Sequence, residues 1–266
     1  MVIALTTEVS NPRGHFASAN SALLWKAWVE SRGRFFSAMA LLASLVIYAV
    51  TTGPEYVMRL QEVFPGRSYS YSAYIWGGLF HYALQGLWVV AAFVITLGGL
   101  RREKGTGSAL FSLGLPVPRL RLFLIRAALA CAEALTLGLV SALLIPIVSP
   151  LVGEIYPFGQ ALAFGVFMSA AGLVIVASGL LLSEIFEGEL TAAAVGLCAL
   201  ATVFFSYKAR TLRGWNVFDV MSATTCVDPI TRLLKGTAPW PGLAICLLVS
   251  IGLLAIAGIT IRTRDI

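Results

Sequence analysis

Charged residues are missing from long stretches of this chain and crowded into the gaps between them. Residues 68–100 and 134–153 contain no Asp, Glu, Lys or Arg, whereas 101–121 holds Arg101, Arg102, Glu103, Lys104, Arg119 and Arg121. A soluble amphipathic chain would scatter charge along every element. Blanks of this length fit helices that cross a bilayer, because backbone in hydrocarbon must satisfy its own hydrogen bonds. The pattern predicts an all-α, polytopic membrane protein with six spans at about 36–52, 74–100, 122–146, 158–183, 190–207 and 241–261. Most fall within the roughly 17–25 residues a bilayer helix needs, and the first and fifth sit at the short limit. Ahead of the first span, Leu23, Leu24, Trp25, Trp28, Phe35 and Phe36 alternate with Lys26, Glu30, Arg32 and Arg34. That alternation predicts a cytoplasmic tail and an interfacial elbow helix over 1–35. Between spans five and six, Val217 to Leu234 reads as one or two short helices broken at Asp228-Pro229, forming an outer cap. No repeat or low-complexity tract divides residues 1–266, which read as a single domain.

Composition agrees, with 58% apolar and 12% charged residues and a mean hydropathy of +0.86. The 19 basic residues outnumber the 13 acidic ones, but they flank apolar spans, which is the signature of orientation and headgroup contact; no nucleic acid is expected as a partner. With both termini placed inside, twelve basic residues lie on inner segments and seven on outer ones. The expectation is a multi-pass protein of the cytoplasmic (inner) membrane with both termini cytoplasmic. The first 20 residues, broken by Glu8 and Arg13, do not read as a cleaved signal peptide.

Catalytic motifs are not found. There is no His-Glu-x-x-His, Gly-x-Ser-x-Gly or Gly-x-x-x-x-Gly-Lys-Ser/Thr, and the four cysteines show no paired spacing, so no enzyme, disulfide framework or metal site is expected. Two ionisable residues fall within spans, Glu133 in span three and His81 in span two. Glu133 reads either as a proton or cation relay or polar lining of a substrate path, or as a protonated or hydrogen-bonded group that holds helices together; His81 reads either as a ligand or as a satisfied packing histidine. The small-residue pairs Gly165 with Ser169 and Ala192 with Gly196 allow close helix approach and suit a dimer seam. No charged groove runs through the spans, which points away from a polyanionic cargo and toward a lipid-like, peptide or drug-like one.

The charged insert carries a more specific pattern: Glu103, Gly107-Ser108, Phe111-Ser112-Leu113, Leu115-Pro116-Val117 and Arg119. It resembles the membrane subunits of ABC-2 type ATP-binding cassette exporters, which have an acidic residue, Gly-Thr/Ser, a short apolar helix, then Leu-Pro-Val-Ser-Arg before the third span. Pro118 departs from that pattern, standing where Ser is usual. The resemblance implies that Glu103, Gly107, Ser108, Leu110, Phe111, Leu115, Pro116, Val117 and Arg119 form a coupling helix that docks onto a separate ATPase subunit. It further implies that ATP and Mg sit on that partner, with no cofactor on this chain, and that two permease chains pair. Local chemistry is compatible with this role. Arg101, Arg102 and Lys104 can anchor at headgroups, Gly105 and Gly107 permit a sharp entry, and Pro116 with Pro118 redirect the chain. The reading from another class is a membrane scaffold or assembly factor that transports nothing.

Overall fold

A computed structural model describes residues 12–65, 69–97, 118–186, 188–206, 216–236 and 238–263, leaving aside the side chains of 12–19, Glu189, Phe205 and Ser206. The elements are α1 (Pro12–Val63), α2 (Tyr71–Thr96), α3 (Arg119–Val148), α4 (Phe158–Ile185), α5 (Glu189–Ser206), α6 (Val217–Met221) and α7 (Trp240–Thr263). No strand occurs among the described residues, only an isolated bridge between Val227 and Leu234. The protein is thus all-helical.

Among the described residues, five helices are long and apolar enough to cross a membrane: Asn20–Val63 within α1, α2, α3 with its trailing 3-10 turn, α4 and α7. The expected span over 190–207 is an apolar helix, Glu189–Ser206, whose 18 described residues are at the short limit for a crossing. The expected elbow differs. Nothing interrupts the chain between the charged stretch near Lys26 and the apolar stretch beyond Phe36, and α1 runs unbroken for 52 residues, about 78 Å. Lys26 and Glu30 pair one turn apart within it, and Gly33 alone is a modest helix penalty. The helix even passes Pro54, which removes one backbone N–H; on the preceding turn the carbonyl of Ala49 accepts a hydrogen bond from the Tyr74 hydroxyl at 3.2 Å.

Lipid is as apolar as a leucine side chain, so packing here rests on close fit and polar ties between helices more than on hydrophobic burial. Parallel helices α1 and α3 are tied at two levels. Arg121 Nε donates to Asn20 Oδ1 at 2.8 Å, and eleven residues further up α1 Ser31 meets Glu133. Antiparallel α4 lies against α3 through small residues: Gly138 faces Ser169, and a Cβ on Gly165 would come 2.8 Å from Ala142 Cβ. Trp88 of α2 fills the centre. Its ring lies over Gly172 and its Nε1 donates to the Ala134 carbonyl at 3.2 Å, joining α2, α3 and α4 at one fully buried side chain. Gly196 of α5 meets the ring of Phe93 in the same way. Both small-residue pairs are therefore used inside the chain, which accounts for them without a dimer seam.

Candidate functional site

The segment expected to couple to a partner, 103–119, is flanked by helix ends. On one side α2 stops at Thr96 and Leu97; on the other α3 begins at Arg119. Glu103, Gly107, Ser108, Leu110, Phe111, Leu115, Pro116 and Val117 lie outside the described residues. Arg119 is the first residue of α3, and Pro118 occupies the cap position. Proline has no side-chain oxygen to cap a helix, so Pro118 contributes only its carbonyl, which accepts from Arg121 N at 2.9 Å and Leu122 N at 3.4 Å. The unusual residue is compatible with a normal helix start.

Around this segment the helix ends converge. Asn20 of α1 meets Arg121, and Leu120 lies 3.2 Å from where a Cβ on Gly258 of α7 would stand. The described amino-terminal and carboxy-terminal helices therefore reach the end of the bundle where α3 begins. Arg34 of α1 caps α2, its guanidinium donating to the carbonyls of Val94, at 3.2 Å, and Leu97. A cation on the terminal carbonyls of a helix is favourable both as a hydrogen bond and against the helix dipole.

The two intramembrane candidates do not form one site. Glu133 lies near the Thr96 end of α2, beside Ile95 and Thr96, while His81 lies toward the opposite end, beside Trp76 and Tyr82. Glu133 is 3% exposed. One carboxyl oxygen meets the Ser31 hydroxyl and the other, Oε2, has no hydrogen-bond partner.

His81 belongs to a wider arrangement. Residues Ile75–Ala83 of α2 are π-helical, a rare geometry that recurs at functional sites. The wide turn presents Trp76, His81 and Gln85 to the segment 216–223. Trp76 Nε1 donates to the Ser222 carbonyl at 3.0 Å, His81 Nδ1 shares a 3.1 Å hydrogen bond with Ser222 Oγ, and Gln85 Nε2 donates to the Phe218 carbonyl at 2.7 Å. His81 stacks on Trp76 at 4.9 Å between centroids, and the Arg232 guanidinium stands 4.8 Å from the same ring. His81 is thus held by a hydrogen bond and ring stacking within the bundle.

Segment 216–236 contains two short helices, Val217–Met221 and the 3-10 turn Thr224–Cys226, which end before Asp228-Pro229 instead of being broken there, and the segment is more than a surface cap. Phe218, Asp219, Val220, Met221 and Ser222 are buried, and the Met221 methyl reaches to 3.4 Å from where a Cβ on Gly172, midway along α4, would be. The segment dips between α2, α4 and α7, then rises to a hairpin. There Asp228 Oδ1 accepts from Ile230 N at 2.8 Å and Thr231 N at 3.2 Å, and Oδ2 pairs with Lys235 Nζ at 3.0 Å. These bonds, led by that from Ile230, pull the Asp228 carboxyl down to about 2. The buried polar face was not legible beforehand, although a Trp, His and Gln on one apolar span was a signal that they needed partners.

Alongside the π-helical stretch an open groove of about 700 Å³ separates α2 from the far half of α1, lined by Tyr48, Tyr56, Tyr69, Tyr74 and Tyr82 together with Glu55 and Arg59. Among the described residues no cluster of His, Cys, Asp and Glu is arranged to hold a metal ion. No protein-family model matches this chain, and no curated protein matches it.

Proposed function

We propose that this chain is the membrane-spanning permease subunit of an ABC-2 type ATP-driven exporter, moving its cargo with ATP hydrolysed by a separate nucleotide-binding subunit. One observation carries the reading: the pattern from Glu103 to Arg119 falls between two membrane-length helices, at the point where such exporters have their coupling helix. The multi-helix membrane bundle supports it, as does the convergence of α1, α3 and α7 at one end, beside the segment the partner would touch. ATP-driven closure of the partner subunits would press on residues 103–119 and, through the Arg34 cap on α2 and the start of α3, tilt these helices against their neighbours. The tyrosine-walled groove suits a lipid-like, peptide or drug-like cargo better than a polyanion.

A docking helix transmits force through packed apolar contact, and a charge on its buried face leaves an unpaired ion costing about 2–5 kcal/mol. Leu110→Asp and Phe111→Asp are therefore expected to leave the chain inserted while releasing or uncoupling the ATPase; Arg101→Ala should alter headgroup anchoring alone. Copurification of the partner and ATP-dependent transport, compared at matched membrane levels, decide the matter. If both Asp variants bind and transport as the wild type does, 103–119 is an interfacial loop and the scaffold reading takes its place.

A further inference from the structure

Ser31, Trp28 and Glu133 set a hydrogen-counting problem. A serine hydroxyl has one hydrogen to donate. Ser31 Oγ lies within reach of two acceptors, the Trp28 carbonyl at 3.3 Å and Glu133 Oε1. An ionised Glu133 would add a second fault, because Oε2 is buried without a partner and no described cation stands within ion-pair distance of the carboxyl. A charge held in that way is costly in an apolar seam. Both contacts of Ser31 become hydrogen bonds at once if Glu133 brings the missing hydrogen: Glu133 Oε1–H donates to Ser31 Oγ, and Ser31 O–H donates to Trp28. Oε2 is then a neutral carbonyl oxygen. Glu133 also lines a cavity of about 20 Å³.

We propose that Glu133 is a proton-binding site, holding one proton on Oε1 as a neutral carboxylic acid in the folded bundle. Uptake is balanced simply: the carboxylate takes a proton from hydronium and leaves a water. The charged groups around the cavity are Glu30 and Arg34 on α1 and Arg126 on α3; α2 and α4 contribute Ile95, Thr96 and Leu180, none of them titratable. Arg34 is committed to the carbonyls that end α2, and Glu30 to Lys26. The site is independent of the exporter reading, since it concerns only how α1 and α3 are joined.

The test is infrared absorption of the full-length protein in lipid nanodiscs at neutral pH, comparing wild type with Glu133→Gln. Other buried carboxyls, Glu184 and Asp219, are present in both samples and cancel. The expected result is loss of one protonated-carboxyl C=O band in the variant, with that band shifting in heavy water. Loss of a carboxylate band instead, or no change in the carbonyl region, overturns the proposal. Ser31→Ala gives a second reading should the Gln variant fail to fold: the protonated band persists but moves to higher frequency because a hydrogen bond is lost. An unmoved band shows that the proton sits elsewhere and overturns the assignment.

Discussion

Glutamine has the shape of a neutral carboxylic acid and can both donate and accept, so Glu133→Gln should preserve the tie to Ser31. Its thermal midpoint in detergent is expected to match wild type within a change of about 1 kcal/mol, whereas Glu133→Ala, which removes the partner and enlarges the cavity, should lose about 1–3 kcal/mol. Normal expression of Glu133→Gln with transport abolished would reveal a relay in addition to a tie. Asp228 gives a different pH signature. Its carboxyl is held at about 2, below the roughly 3.9 of an unfolded chain. Its contribution is therefore complete above about pH 4 and is lost as pH falls toward 2. A spin label placed on the exposed Ile230, through Ile230→Cys, should stay ordered to about pH 4 and loosen below it. Asp228→Asn should remove that transition.

Among the elements, the junction of α2 with α4 is the tightest to test. A methyl group on Gly172 would overlap the Trp88 ring, and an indole that is wholly buried has nowhere to turn. Gly172→Ala is expected to destabilise by about 1–3 kcal/mol in detergent unfolding, with part of the loss recovered when Trp88→Leu is added. Long apolar blanks made the helices legible in the sequence, because hydropathy reports what lipid tolerates. It does not report where a helix ends. Thr51 and Thr52 bond back to carbonyls of the preceding turn, Glu55 pairs with Arg59, and α1 continues well past the apolar residues that suggested an end at 52. The same limit hid the π-helical stretch, since Ile75–Ala83 reads as apolar and aromatic in either pitch. Gly165, Ser169, Ala192 and Gly196 were recognisable as points of close approach, but spacing alone does not say whether the approaching helix belongs to the same chain. His81 and Glu133 were recognisable as costly residues; their partners, Ser222 and Ser31, lie 141 and 102 residues away and no local pattern points to them.

For the molecule as a whole, the basic bias predicts that segment 98–117 and the 226–235 hairpin face opposite sides of the membrane. With the four native cysteines replaced, Ser108→Cys and Ile230→Cys should react with an impermeant thiol reagent from opposite sides. Ser222, fully buried, would be a poor reporter. Equal labelling of both from outside would refute the topology. The pairing of α1 with α3 also has a consequence in time. Asn20 and Ser31 meet residues made 101 and 102 positions later, across an intervening helix. At about 5–20 residues per second of synthesis, α1 waits about 5–20 s in the bilayer before the far side of its seam exists. During that interval Ser31 lacks Glu133, and Arg34, until α2 is complete, lacks the Val94 and Leu97 carbonyls it caps. The yield of this protein should therefore depend on how quickly the ribosome traverses the codons between α1 and α3, and synonymous slow codons there should lower it without changing a single contact in the finished bundle.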